Sequence, residues 1–411
     1  MTNKLKVLYI SYDGMTDPLG QSQVIPYLSY LSKKNIEIHI LSAEKSDLFI
    51  KGKEKISEIL QLNDIIWHPT AYTKKPAVIS TIMDIRKIIR MSSKLQKQYH
   101  FDIVHCRSYI SAFAGLYLKQ KYKVKFLFDM RGFYPDERVD GNLWPQSNPV
   151  YKLIYKYFKK KEKLFLSSAD YIISLTYAAK DIITDKFKYC TAPISVIPCC
   201  ADLNHFDFHK INKFKISELR DETGISETDF VLSYLGSIGT WYMIDEMLLF
   251  FKILKKHKQN VKFLIITKDI PDIIYQSARK LDISIEDIII KASERSSVPE
   301  LLSLSNVSVF FIKPVFSKKA SSPTKLAELL GMGIPVICNS TVGDIDKFVP
   351  DFNLGLLVNQ MDETDFERVI LQIDDLAKTD SEILRAVAEE HFSVDKGAEQ
   401  YFSVYKDLSV K

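Results

Sequence analysis

Four places in the sequence carry residue types that could bind an anion or move a proton. The first is the run from Lys318 to Ile337, where two lysines and two serines precede Pro323 and a short amphipathic helix bearing one carboxylate, Glu328. Pro323, after Ser322, suits the first helical position, and Leu326, Leu329 and Leu330 form the buried stripe behind it. First-turn N–H groups lack intrahelical partners, and the helix dipole favours an anion beside them. The hydroxyls of Ser321, Ser322 and Thr324, with the charge of Lys325, would complete a phosphate cradle. Glu328 then lies about 7 Å along the axis from the helix start, at roughly 1.5 Å per residue. That spacing suits a carboxylate accepting hydrogen bonds from ribose hydroxyls while phosphates rest on the helix end. A capped helix with an exposed glutamate is the plainer reading of the same residues.

The second place is the first strand-to-helix turn, "YISYDGMTDPLGQSQ", which carries Gly14 and Gly20 in a long polar loop. It lacks the tightly spaced glycines of a dinucleotide-binding turn. Such a loop suits backbone that approaches a ligand, or a surface turn that uses glycine for its geometry. Third, "DIVHCRS" delivers His105 and Arg107, and "FLFDMRGFYPDERVDG" delivers Asp129, Arg131, Glu137 and Arg138. Four ionisable groups just beyond one buried strand favour a site, because α/β folds build sites at strand ends. Fourth, "YLGSIGTWYMIDEML" puts Gly236, Ser237 and Gly239 between a strand and a helix that Trp241 and Tyr242 are expected to open. Glycines there let backbone approach a phosphate, or simply make a tight turn.

The elements that position these residues are legible in the hydrophobic pattern. Thirteen short, nearly all-apolar, β-branched runs alternate with longer helical patterns, as in βαβ units whose parallel sheets are covered on both faces. The pattern restarts near residue 229, after the polar segment 201–229, which reads as a linker and the approach to a second domain. The expected fold class is α/β: two facing Rossmann-like, doubly wound parallel-sheet domains, 1–200 and 201–393, with ligands at the carboxyl ends of strands. The terminal stretch 394–411 is helical in pattern, with Ala398, Tyr401, Phe402 and Tyr405 on one face; spacing alone allows it to close the second domain or return to the first.

Composition narrows the function. A chain of 411 residues, 46% hydrophobic and 26% charged, is globular and too long for one ordinary core. A net charge of +5, with no RNP, zinc-finger or helix-turn-helix signature, does not point to nucleic acid. The five cysteines, Cys106, Cys190, Cys199, Cys200 and Cys338, show no metal-ligand spacing and are expected to stay reduced. Neither a signal peptide nor an apolar run of bilayer-spanning length is apparent, so a cytoplasmic location is expected. Two lysine-rich segments that are partly apolar, 82–101 and 151–166, suit either a solvated helix face or the inner surface of an anionic plasma membrane.

Taken together these features resemble the retaining glycosyltransferases of family four, which have the GT-B fold. The resemblance spans nearly the whole chain and includes "ADYIISLT", "ISVIPCCADLNHF", "PTKLAELLGMGIPVI", "GLLV" and the terminal helix, which in the family returns to the N-terminal domain. It implies that Glu328 is the second glutamate of a signature with seven residues between two glutamates, and holds the nucleotide ribose. It implies an active-site role for His105 with Arg131 near the transferred sugar, and donor contacts from Gly14, Gly20, Gly236 and Ser237. Acceptor contacts would come from Arg107, Glu137 and Arg138. Two positions depart from the pattern: Ala320 stands where the first signature glutamate is usual, and Ser237 where a basic residue is usual, so donor phosphate charge is expected to be met by Lys319, Lys325, Lys313 or the helix end. The expected donor is a UDP- or GDP-linked sugar, and the expected acceptor a glycan or lipid-linked glycan of cell-surface polysaccharide synthesis. No cofactor or metal is expected, and the Asp344–Asp346 "DID" is taken as accidental. An epimerase of nucleotide sugars and a non-catalytic nucleotide-sugar-binding homologue are the alternatives. An NAD-dependent dehydrogenase is disfavoured by the missing glycine fingerprint, although Glu44 sits where a ribose acid could.

Overall fold

The structure is a computed structural model and describes residues 4–76 and 78–410. The chain divides into two compact units, residues 1–199 with 394–411, and residues 200–393.

In the first unit seven parallel strands form one sheet: β1 (Leu5–Ser11), β2 (Ile36–Glu44), β3 (Ile65–Ala71), β4 (Ile103–Arg107), β5 (Lys125–Asp129), β6 (Tyr171–Ser174) and β7 (Ile194–Val196). Their order is β3-β2-β1-β4-β5-β6-β7, so the winding direction reverses between β1 and β4. Tyr9 lies opposite Ile40 on one side and His105 on the other. The inner strands are buried on both faces, which is why they read as unbroken apolar runs rather than alternating ones. The C-terminal helix, Val394–Val410, belongs to this unit and packs along the helix Ile25–Ser32. Tyr401 meets Tyr27 edge-on at 5.7 Å, and Glu399 accepts from the Tyr30 hydroxyl at 2.8 Å.

In the second unit six parallel strands follow: β8 (Phe230–Leu235), β9 (Val261–Ile266), β10 (Ile288–Lys291), β11 (Val307–Phe310), β12 (Val336–Asn339) and β13 (Gly355–Val358). Their order is β10-β9-β8-β11-β12-β13, with the reversal between β8 and β11. Both domains are therefore doubly wound, and all thirteen apolar runs are strands. Segment 201–229 is not a linker. Leu203, Phe206, Leu219 and Ile225 are buried in the core of the second unit. Arg385 fastens the entry by donating to the carbonyls of Leu203, Phe206 and Gly331. Its polar composition misleads because the helix Lys213–Thr223 buries only Leu219.

Candidate active site

Ligands of doubly wound sheets bind outside the carboxyl ends of the strands where the strand order reverses. In the second unit that crevice lies between the turn after β8, which carries Gly236 and Ser237, and the segment after β11, which carries Lys319 to Lys325. The fold thus brings together both donor-side groups named from the sequence.

The helix after β11 runs from Thr324 to Gly331. Pro323 is its N-cap, with extended backbone, and not its first helical residue; no side chain caps the helix. Ser321, Ser322 and Thr324 are half-buried at this end, and Lys319 is exposed. Glu328, on the second turn, is far from an exposed helix-face glutamate. Its side chain is 10% exposed, and Arg295 Nη1 donates to Oε1 at 3.0 Å. Arg295 is itself held by two contacts: its carbonyl pairs with His205 Nε2 at 2.8 Å, and its guanidinium lies over the Phe206 ring. Nothing in the sequence around Arg295 announces this pairing across 33 residues.

Lys325 departs most from expectation. It is buried: its ammonium sits 3.6 Å from the centre of the Tyr242 ring and 4.3 Å from that of Tyr234, and donates to the Tyr234 hydroxyl at 3.2 Å. Burial pulls its pKa well below the usual lysine range, and Glu328 restores only part of the loss. Gly236, at φ +130, leaves room for it, since a Cβ there would stand 2.8 Å from Lys325 Nζ. Ser237 is exposed at the tip of the turn, and its carbonyl accepts from the Tyr234 hydroxyl. Lys318 is likewise buried, with its ammonium 3.7 Å from the centre of the Trp241 ring. Trp241 and Tyr242 do not open the following helix, which starts at Ile244; Tyr242 forms an antiparallel bridge with Ile312. These aromatics are therefore walls for lysines rather than core residues of a helix. Ala320, where a glutamate was the family expectation, is 2% exposed. Asp346 of the "DID" accepts from the Thr341 N–H at 2.8 Å and closes a local turn.

In the first unit the reversal lies between β1 and β4, and the strand-end residues of β1, β4 and β5 meet there. Arg107 ends β4, is 4% exposed and reaches Asp13, in the loop after β1, at 3.4 Å. Asp129 ends β5 and is 1% exposed. One of its oxygens accepts from Tyr401 at 3.0 Å and faces His105 Nε2 at 3.4 Å; the other has Arg131 at 3.9 Å. Burial pushes this carboxyl up, but Arg131, His105 and Arg107 outweigh it and hold it below the usual aspartate range. Arg131, at φ +59, also donates to Cys199 Sγ at 3.2 Å. The φ value is a strained conformation for a side-chain-bearing residue, held by these contacts.

His105 is 1% exposed, and both its ring nitrogens are engaged, Nδ1 with the Tyr405 hydroxyl at 2.7 Å and Nε2 with Asp129. Burial lowers its pKa, with Asp129 opposing. Such a ring positions Asp129 and the terminal helix; it does not present a nitrogen to a substrate. Tyr401 and Tyr405, read from spacing only as a packing face, are the residues that close it in.

Gly14 and Gly20 serve the loop itself. A Cβ on Gly20 would stand 2.1 Å from the Gly14 carbonyl oxygen, and one on Gly14 would stand 2.6 Å from Glu44 Oε2. Glu44 latches this loop by accepting from the N–H groups of Met15 and Thr16 and from the hydroxyls of Thr16 and Ser42. A carboxylate so engaged has no capacity for a ribose. Glu137 and Arg138 lie on the helix Tyr134–Asp140, one turn beyond Arg131, with the Arg138 guanidinium 4.8 Å from the centre of the Tyr134 ring. Among the described residues, no helix is long and apolar enough to cross a membrane.

Comparison with known proteins bears on the family and the fold. Residues 23–205 match the family model Glycosyltransferase Family 4, and residues 215–387 match Glycosyl transferases group 1. No curated protein matches the sequence. Among solved structures, a glycosyltransferase from Rickettsia africae is similar at a TM-score of 0.72 and 17% identity, over 99% of each chain. HepE from Anabaena, solved with UDP and glucose, gives 0.69 and 14% over 98% of this chain and all (100%) of its own. WaaG, a glycosyltransferase involved in lipopolysaccharide biosynthesis, gives 0.65 and 13% over 95% and 98%.

Proposed function

We infer, because this chain belongs to glycosyltransferase family 4 and has the GT-B fold, that it moves a sugar from a UDP- or GDP-linked donor to a glycan or lipid-linked glycan, with retention of configuration. The observation that carries this reading is the joint placement of an uncapped helix end and a dehydrated carboxylate at the β8/β11 reversal. Glu328 stands four residues beyond Thr324, about 6 Å along the axis at roughly 1.5 Å per residue. A nucleoside diphosphate laid on the helix end puts its ribose near that carboxylate. UDP is the first nucleotide to test, since HepE was solved with it.

Breaking the anomeric bond leaves negative charge on the departing diphosphate. Preorganised N–H groups at the Thr324 helix end meet that charge directly. Lys319 meets it from solvent, and Lys325 from beneath the Gly236 turn. With that charge met by protein, the chemistry needs no metal. The buried Arg107, Asp129 and Arg131 cluster marks the acceptor-side unit, with Arg131 set beside Asp129 by the strained turn after β5. His105 acts there as a positioning residue. The basic segments 82–101 and 151–166 favour an acceptor delivered at an anionic membrane, and thus a role in cell-surface polysaccharide synthesis.

The test is a panel of UDP- and GDP-sugars scored for thermal stabilisation, followed by nucleotide release with and without glycan acceptors in the presence of a chelator. Acceptor-dependent release that survives the chelator supports the reading. Acceptor-independent release with epimerised sugar would instead identify an epimerase.

A further inference from the structure

The first unit contains a groove of about 870 Å³ on the outer side of the sheet's carboxyl end. One wall is the helix Ile79–Tyr99 and the other the helix Pro149–Ser168. Its floor is aromatic: Trp144 lies 5.8 Å from Tyr134 and 5.4 Å from Phe158, which in turn meets Phe113 edge-on at 6.1 Å. The rim is apolar and exposed. Leu153 is 69% exposed, Ile82 45% and Tyr157 48%, with Ile79 and Val150 just beyond. A contiguous apolar surface of this kind marks a binding site rather than ordinary surface.

Charge identifies the occupant. Lys74, Arg86 and Arg138 line the groove, and among the described residues no aspartate or glutamate does. Of the carboxylates flanking the groove, Asp84 holds Tyr12, Thr73 and Lys87, and Asp136 holds Tyr155 and Lys159, while Glu137 bears on Tyr134 from the helix that carries Arg138. An apolar trough with uncompensated cations fits an amphiphile, with its chain in the trough and an anionic head among the cations. Tyr12 and Tyr134 also line the groove. Tyr12 follows β1 beside Asp13, and Tyr134 opens its helix three residues after Arg131. A head group bound there lies beside the strand-end cluster.

We propose that this groove seats the lipid chain of the acceptor, an apolar chain whose phosphate-type head is met by Arg138, Arg86 and Lys74. The proposal rests on the acceptor reading above and narrows it from any glycan to a lipid-linked one.

Trp144 in the floor provides a direct readout. Farnesyl phosphate, titrated into the full-length protein below its micelle concentration, is expected to change tryptophan emission saturably, and Trp144→Phe to abolish that change. Farnesol is expected to bind at least about tenfold more weakly, inorganic phosphate to give no change, and Arg138→Gln to bring farnesyl phosphate down to the farnesol level. Leu153→Glu alters an exposed position, so the variant should fold, and it is expected to lose binding. Equal affinity for farnesol and farnesyl phosphate would overturn the proposal, as would unchanged binding by Leu153→Glu. So would a response to plain anionic phospholipid vesicles with none to farnesyl phosphate, which would mark a membrane-contact face instead. UDP affinity measured on the same samples reports the donor site by itself. Failure there with farnesyl phosphate still binding would remove the donor assignment and leave the groove intact.

Discussion

Replacing Glu328 by alanine isolates the ribose assignment, and the structure sets the size of the effect. The carboxylate is mostly dehydrated and has one partner, the half-exposed Arg295. Two ribose hydroxyls donating to it would form hydrogen bonds to a charged group, worth about 1.5–3 kcal/mol each. Binding must first displace or share Arg295, and a pair with one partner this exposed is worth about 0–1 kcal/mol. The net contribution is about 2–6 kcal/mol, so Glu328→Ala should weaken UDP binding roughly 30- to 20,000-fold. Glu328→Gln keeps an acceptor oxygen without the charge and should fall between. Arg295→Ala removes the competitor and should move affinity by no more than about fivefold. Isothermal titration of UDP at fixed ionic strength measures all three. An affinity for Glu328→Ala within about threefold of the parent would refute the reasoning. So would a loss on Arg295→Ala as large as that of Glu328→Ala, because the pair would then act as one structural unit.

Other outcomes follow from the same geometry. Gly236→Ala forces a side chain into φ +130 and against Lys325, and should lower stability by about 1–3 kcal/mol in urea unfolding. Lys325 has a depressed pKa in its aromatic cage, and a neighbouring diphosphate favours the charged form. UDP binding should therefore take up protons and weaken as pH rises, an effect that titration in buffers of different ionisation enthalpy would reveal and Lys325→Met would remove. His68 and His39 stack with ring nitrogens 3.0 Å apart, and burial, then the His39 charge, lowers His68 to about 4. The folded state binds fewer protons than the unfolded one between about pH 4 and 6.5, so stability should fall as pH drops through that window. His68→Gln should flatten the fall, as followed by denaturant midpoints at each pH.

The parts of the fold legible in sequence are those with local causes. Strands such as β4 and β8 are covered on both faces, so their apolar runs announce them without tertiary information. The helix carrying Glu328 is announced by its leucine stripe, although Pro323 proves to be the cap. What sequence could not reach depends on pairs far apart in the chain. Arg295 meets Glu328 and Tyr405 meets His105 across 33 and 300 residues, and no local pattern encodes either. Lys325 shows the same limit from the other side. Its type and position suit a phosphate, yet Tyr234 and Tyr242 fold over it, and only the sheet order brings β8 beside β11. Segment 201–229 was obscured by composition, because a surface helix that buries one leucine looks like a linker. Gly14 packs on Glu44 and Gly20 on the Gly14 carbonyl, close approaches inside the loop that no local sequence pattern announces.

A structure of the protein with UDP bound tests the central claim most directly. The account predicts the ribose hydroxyls within hydrogen-bond distance of the Glu328 carboxylate and the diphosphate over the N–H groups at Thr324 and Lys325. A nucleotide bound elsewhere, with Glu328 still paired to Arg295, would contradict it.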